Sequence, residues 1–139
     1  MSRIIKTETV GKQRSQLSRA VIHAVRELAK QTETGSEAHD LAAFISEALR
    51  LISEGIDESV NAWEKRGYWI KADRFRMEWS WAGEMSKKMK SAVMGDDWGK
   101  LAEYSTVIAQ KLPKIKIGTR HRLGRPWVGA FDLIRARKD

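Results

Sequence analysis

The chain has 139 residues, with 26 Lys/Arg against 18 Asp/Glu for a formal charge of +8, a hydrophobic fraction of 42% and no cysteine. That length suits one domain with one core, and the composition is too apolar for a disordered chain. Disulfides, thiolate metal sites and a cysteine nucleophile are excluded. No apolar run approaches the roughly 20 residues that cross a bilayer, and Met1–Lys12 lacks the apolar core of a signal peptide, so a cytoplasmic protein is expected.

The charge is lopsided. Residues 1–110 carry 17 basic and 16 acidic side chains, whereas residues 111–139 carry nine basic and two acidic. A basic tail on a near-neutral body favours a polyanion as partner, and nucleic acid over a membrane because no lipid-facing amphipathic helix accompanies it. A tail that serves only solubility is the competing explanation.

In chain order, Met1–Arg14 opens with Ile4, Ile5 and alternating threonines, which predicts a short extended arm closed by Gly11. From Lys12 to Gln31, Leu17, Val21, Ala24, Val25 and Leu28 follow the spacing of an amphipathic helix. Its other face reads Lys12, Gln16, Arg19, His23, Arg26 and Lys30, a row that could follow a phosphate backbone or simply be solvated. Thr34 and Glu37 have the spacing of a capping box for a second helix starting near Ser36. Leu41, Ile45, Ala48, Leu49, Ile52 and Ile56 form its seam, and it runs either to a left-handed stop at Gly67 or to a break at Gly55. Its outer face is acidic, with Asp40, Glu47, Glu54, Asp57 or Glu58, and Glu64 against Arg50 alone, and it must avoid phosphate. Those carboxylates pair either within the chain or with the basic row of a neighbouring copy.

Tyr68–Val93 predicts a third helix with two apolar seams, one through Tyr68, Ala72, Phe75, Trp79, Ala82, Met89 and Val93, the other through Ile70, Met77, Trp81 and Met85. Between them runs Asp73, Arg76, Ser80, Gly83, Lys87 and Lys90, where small residues admit either a close helix or a sugar-phosphate chain. Asp96 and Asp97 precede a fourth helix, Trp98–Leu112, stopped by Pro113. Beyond it, Lys114, Lys116, Arg120, Arg122 and Arg125 interleave with Ile115, Ile117, Leu123 and Trp127, and three glycines and a proline keep the backbone irregular. A last helical turn or two over Ala130–Arg137 would dock Phe131, Leu133 and Ile134.

The fold class expected is all-α: a single-domain bundle of about four helices, one of them long, over residues 1–112, with an extended N-terminal arm and a basic, mostly irregular C-terminal extension over 113–139. No catalytic or metal-ligating constellation is present. The three histidines are scattered, His23 within reach of Glu27 and His39 beside Glu37 and Asp40, and no glycine loop has phosphate-cradling spacing. No cofactor and no small-molecule substrate are therefore expected.

The reading that follows is a non-enzymatic, sequence-tolerant nucleic-acid-binding subunit, single-stranded RNA or DNA being favoured. Lys12, Arg19, Arg26, Lys30, Arg76, Lys87, Lys90, Lys114, Lys116, Arg120, Arg122 and Arg125 would neutralise phosphates while Trp127 stacks on a base. Partners would include other protein subunits or further copies of the chain. In size, basicity and charged faces the chain resembles the small helical subunits of CRISPR effector complexes, although it matches none of their motifs. The alternative is a scaffold module docking through the Trp-rich third helix, with Trp63, Trp69 and Trp81 as interface residues.

Overall fold

The computed structural model describes residues 9–118 and 120–137. Among these, the chain forms five helices and no strand: α1 (Val10–Ala29), α2 (Ser36–Lys65), α3 (Trp69–Met94), α4 (Trp98–Lys111) and a short α5 (Ala130–Ala136). None is long and apolar enough to cross a membrane.

The first helix starts earlier than the sequence suggests. The Thr9 hydroxyl accepts from the Lys12 amide at 3.0 Å, which caps the helix at Val10 and places Gly11 inside it. The expected extended arm is thus corrected over Val10 and Gly11, and Met1–Glu8 lies outside the described residues. The α2 boundary also differs in its cap: Gly35 occupies the capping position without a side-chain bond. The Thr34–Glu37 capping box does not form, because Glu37 is turned to the C-terminal extension instead.

Helix α2 is unbroken at Gly55. Val10 packs there so closely that an added Cβ would lie 3.2 Å from its Cγ1, so the glycine serves helix contact rather than a break. At 30 residues the helix is roughly 45 Å long, and it ends at Gly67, whose φ of +81° is the left-handed stop. Helices α2 and α3 form an antiparallel pair. The Ser46 hydroxyl donates to the Ser86 carbonyl at 2.8 Å and the Ser86 hydroxyl to the Ser46 carbonyl at 2.7 Å, both buried. Further along, a Cβ on Gly83 would meet the Ser53 hydroxyl at 2.8 Å. The small row of α3 therefore admits a neighbouring helix, and its buried hydroxyls are satisfied by that helix's backbone.

The core gathers Val21, Leu41, Ile45, Leu49, Ile52, Met89, Val93, Leu101 and Ile108 from the four long helices, and Trp127 and Ile134 from the extension. Two parts of the expected seams lie outside it. Ile70 and Met77 of α3 are exposed, as is Leu133 of α5. Asp97 caps α4 by accepting from the Lys100 amide, whereas Asp96, at φ +53°, accepts from His39.

Candidate functional site

The extension leaves α4 at Leu112 and runs along α1 before crossing to the start of α2. A concavity there is lined by Gly11, Arg14, Ser15 and Ser18 of α1 and Glu78 and Trp79 of α3 together with Lys111, Pro113 and Lys114. Further on, the Arg26 guanidinium donates to the Ile117 carbonyl at 3.4 Å, and the His23 imidazole donates through Nε2 to the Gly124 carbonyl at 2.8 Å. His23 is buried, its ring 4.4 Å from that of His121 and 5.1 Å from Trp127. Both expectations for this histidine are corrected. It neither meets Glu27, which pairs with Lys30 at 3.1 Å, nor lies on an open face, because the extension covers it.

That path brings two basic clusters together that are about a hundred residues apart in the chain. Lys12, Arg19 and Arg26 of α1 and Lys114, Lys116, Arg120 and Arg122 of the extension are exposed, and none forms an ion pair among the described residues. Lys111, in the last turn of α4, joins them through the concavity it shares with Lys114. Lys111 was not among the phosphate contacts expected from sequence; its place at the head of the basic segment was the available signal. Arg14 lines the same concavity, but its guanidinium turns to α3. Its guanidinium lies 4.9 Å from the Phe75 ring and 5.7 Å from the Trp79 ring, which joins α1 to α3 by cation–π contact. Burial draws its pKa below the ordinary arginine value, with Glu78 opposing, and it remains a cation.

The rest of the expected set lies away from this face or is already paired. Arg76 bridges Glu64 and Asp73, each at 2.6 Å, and Lys30 is held by Glu27. Lys87 and Lys90 line a separate cleft between α2, α3 and Arg137, where Arg50 is paired with Glu47 and Glu54. Arg125 pairs with Glu37 at 2.8 Å, and the same carboxylate accepts from the Trp127 indole at 3.2 Å. Those two bonds hold the Glu37 carboxyl below its ordinary range. Trp127 itself is 2% exposed. The expectation that it stacks on a base is overturned: its ring fills the core between α1 and α2, and its one polar atom is bonded.

The N-terminal half of the acidic face of α2 is met by the extension, while Asp57 and Glu58 further along are exposed. Asp40 accepts from the Gly129 amide at 3.0 Å and from the Phe131 amide at 2.9 Å, capping α5 across some ninety residues of sequence. Glu47 accepts from Arg137 at 2.6 Å; burial pushes its pKa up, but Arg50 and Arg137 outweigh that and hold it low. His39 joins three elements. It donates through Nδ1 to Gly35 at 2.8 Å and through Nε2 to Asp96 at 2.6 Å, with the Trp98 ring 5.0 Å and the Phe131 ring 4.7 Å away. Burial lowers its pKa, yet the Gly35 and Asp96 bonds outweigh that and raise it, since both ring nitrogens need their protons.

Of the three tryptophans expected at an interface, two already have partners. Trp63 packs on Phe75 with Lys71 over its face, and Trp81 stacks on Trp79. Trp69 is 60% exposed. An apolar concavity of about 480 Å³ between α1 and α4, lined by Val25, Leu28, Trp98 and Leu101, is away from the basic face and carries Glu33 as its charged group. Among the described residues, no three His, Cys, Asp or Glu side chains are grouped to hold a metal ion. Comparison with protein-family models, with curated proteins and with solved structures finds no match for this chain.

Proposed function

We propose that the protein is a non-enzymatic, cytoplasmic nucleic-acid-binding subunit that grips a phosphate backbone across α1 and the first half of its C-terminal extension, within a larger nucleoprotein assembly. The observation that carries this reading is the joined basic face. Lys12, Arg19 and Arg26 share one side of α1 at seven-residue intervals, roughly 10 Å apart, and the extension lays Lys114, Lys116, Arg120 and Arg122 beside them, none of the seven in an ion pair among the described residues. Like charges gathered on one surface repel, and a polyanion relieves that repulsion while its condensed counterions are released. Nothing in the face distinguishes one base from another, so affinity is electrostatic and tolerant of sequence.

Fluorescence anisotropy with a labelled single strand and a labelled duplex, at several salt concentrations, tests the reading. Eight cations set an upper limit of about −6 on the slope of log affinity against log salt for a single strand. A slope near −4 to −6 is expected; no binding to either probe at low salt overturns the proposal. The scaffold alternative draws on the exposed Trp69, Ile70 and Met77 of α3. It predicts instead a protein partner that is lost on changing these residues.

A further inference from the structure

The α2–α3 hairpin reaches past the rest of the bundle. Helix α1 begins at Val10, which faces Gly55, and α2 continues for ten residues beyond that point, about 15 Å. Helix α4 packs on the later part of α3, its Tyr104 ring under Lys88. Among the described residues, the far end of the hairpin is held by its own pairing, through buried Val60 and Ala72, the Trp63–Phe75 contact and the Arg76–Glu64 bridge.

At the tip, Tyr68, Trp69 and Ile70 are 52%, 60% and 71% exposed and share a shallow concavity of about 610 Å³ with Gly67 and Lys71. Lys65 and Arg66 precede it in the chain and Lys71 and Arg74 follow, all exposed and none in an ion pair among the described residues, with the Lys71 ammonium over the Trp63 ring. Of the nearby carboxylates, Glu64 and Asp73 share Arg76, so the three together keep one negative charge, and Glu78 lines a neighbouring concavity with Ile70, Lys71 and Arg74; the four cations outnumber that charge. Gly67, at φ +81° with open space above its Cα, leaves the backbone approachable. The centres of protein–protein interfaces are depleted in lysine and other charge, whereas single-strand binding sites combine an aromatic platform for a base with cations for the flanking phosphates.

We propose that this tip is a second contact for nucleic acid, specific for single strands, with Trp69 as the stacking platform, Tyr68 beside it, and Lys65, Arg66 and Arg74 on the phosphates. The inference rests on the nucleic-acid reading above and adds the strand type. A duplex keeps its bases stacked inside and offers Trp69 no face, so the tip discriminates where the α1 and extension face does not.

The test compares wild type, Trp69→Ala and Trp69→Phe for binding to a fluorescein-labelled oligouridylate of about 20 nucleotides and to a mixed-sequence DNA duplex of about 20 base pairs. Because Trp69 is outside the core, circular dichroism and thermal midpoint should be unchanged in both variants. Trp69→Ala should bind oligouridylate about ten-fold more weakly with an unaltered salt slope and an unaltered duplex affinity, and Trp69→Phe should recover most of the loss. Wild-type affinity for oligouridylate in Trp69→Ala overturns the inference and leaves the basic face standing. Equal loss on both probes overturns it too, because it removes the strand distinction. A Trp69→Ala protein that keeps oligouridylate affinity but loses self-association in sedimentation, or loses adhesion to anionic vesicles, assigns the tip to a second copy or to a lipid surface instead. If wild type binds neither probe, the nucleic-acid reading falls and this inference with it.

Discussion

The two halves of the C-terminal extension are built from the same residue types and end in opposite states. Residues 113–118 and 120–124 lie on α1, whose facing side is basic, and their lysines and arginines form no ion pair among the described residues. Residues 125–137 lie on α2, whose facing side is acidic, and there Arg125 and Arg137 are bound to Glu37 and Glu47 while Trp127 and Ile134 enter the core. A cation's role is thus set by the charge of the helix beneath it. The second half is an anchor, and it holds the first half where its charges add to those of α1.

The largest effect expected from breaking this division is on the anchor. Trp127→Ala should lower unfolding free energy by about 3–5 kcal/mol in urea denaturation, since it empties a core site and leaves the Glu37 carboxylate one donor short. The complementary change, Lys114, Lys116, Arg120 and Arg122 all to Ala, should leave stability within about 0.5 kcal/mol. It should weaken single-strand binding about 100-fold, or ~2.7 kcal/mol, with a salt slope shallower by about 3. If those four substitutions unfold the protein, or if binding survives them, the division of roles is wrong.

A smaller effect separates the cap from the ion pairs. Asp40→Ala removes both acceptors for the Gly129 and Phe131 amides and should cost about 1–3 kcal/mol, read as faster hydrogen exchange at the start of α5. The pH dependence is smaller still. The Glu37 and Glu47 carboxyls are held low, so their contribution is complete above about pH 4.3, the unfolded value, and fades as pH falls through their lowered folded pKa values. Limited proteolysis in that acid range should cut the second half of the extension first. His39 acts at the other end. Its raised pKa makes its contribution complete below about pH 6.5 and lost as pH rises through the folded value, so His39→Gln should flatten the decline of the thermal midpoint above neutrality.

Much of the fold was legible because it is local. The seams of α2 and α4, the stop at Gly67 and the break at Pro113 follow from side-chain period and backbone preference. The start of α1 was less so, because a threonine cap on Val10 outweighed the reading of Gly11 as a terminator. The binding face was half legible. Its cations could be counted, but Arg76, Arg125 and Lys30 could not be told from Arg19 or Arg122 by residue type. Trp127 looked like an exposed aromatic among arginines and proved to be a core residue, since the glycines and proline around it let the chain turn it inward.

The sequence by itself determined a helical chain with a neutral body and a strongly basic end, because helix period, capping chemistry and net charge are properties of short stretches. Which charges remain available to a partner was decided by the tertiary structure alone. The pairs that settle it, His23 with Gly124, Glu37 with Arg125 and Asp40 with Phe131, join residues 88 to 101 positions apart. Electrostatic pairing depends on distance in space, and packing sets that distance.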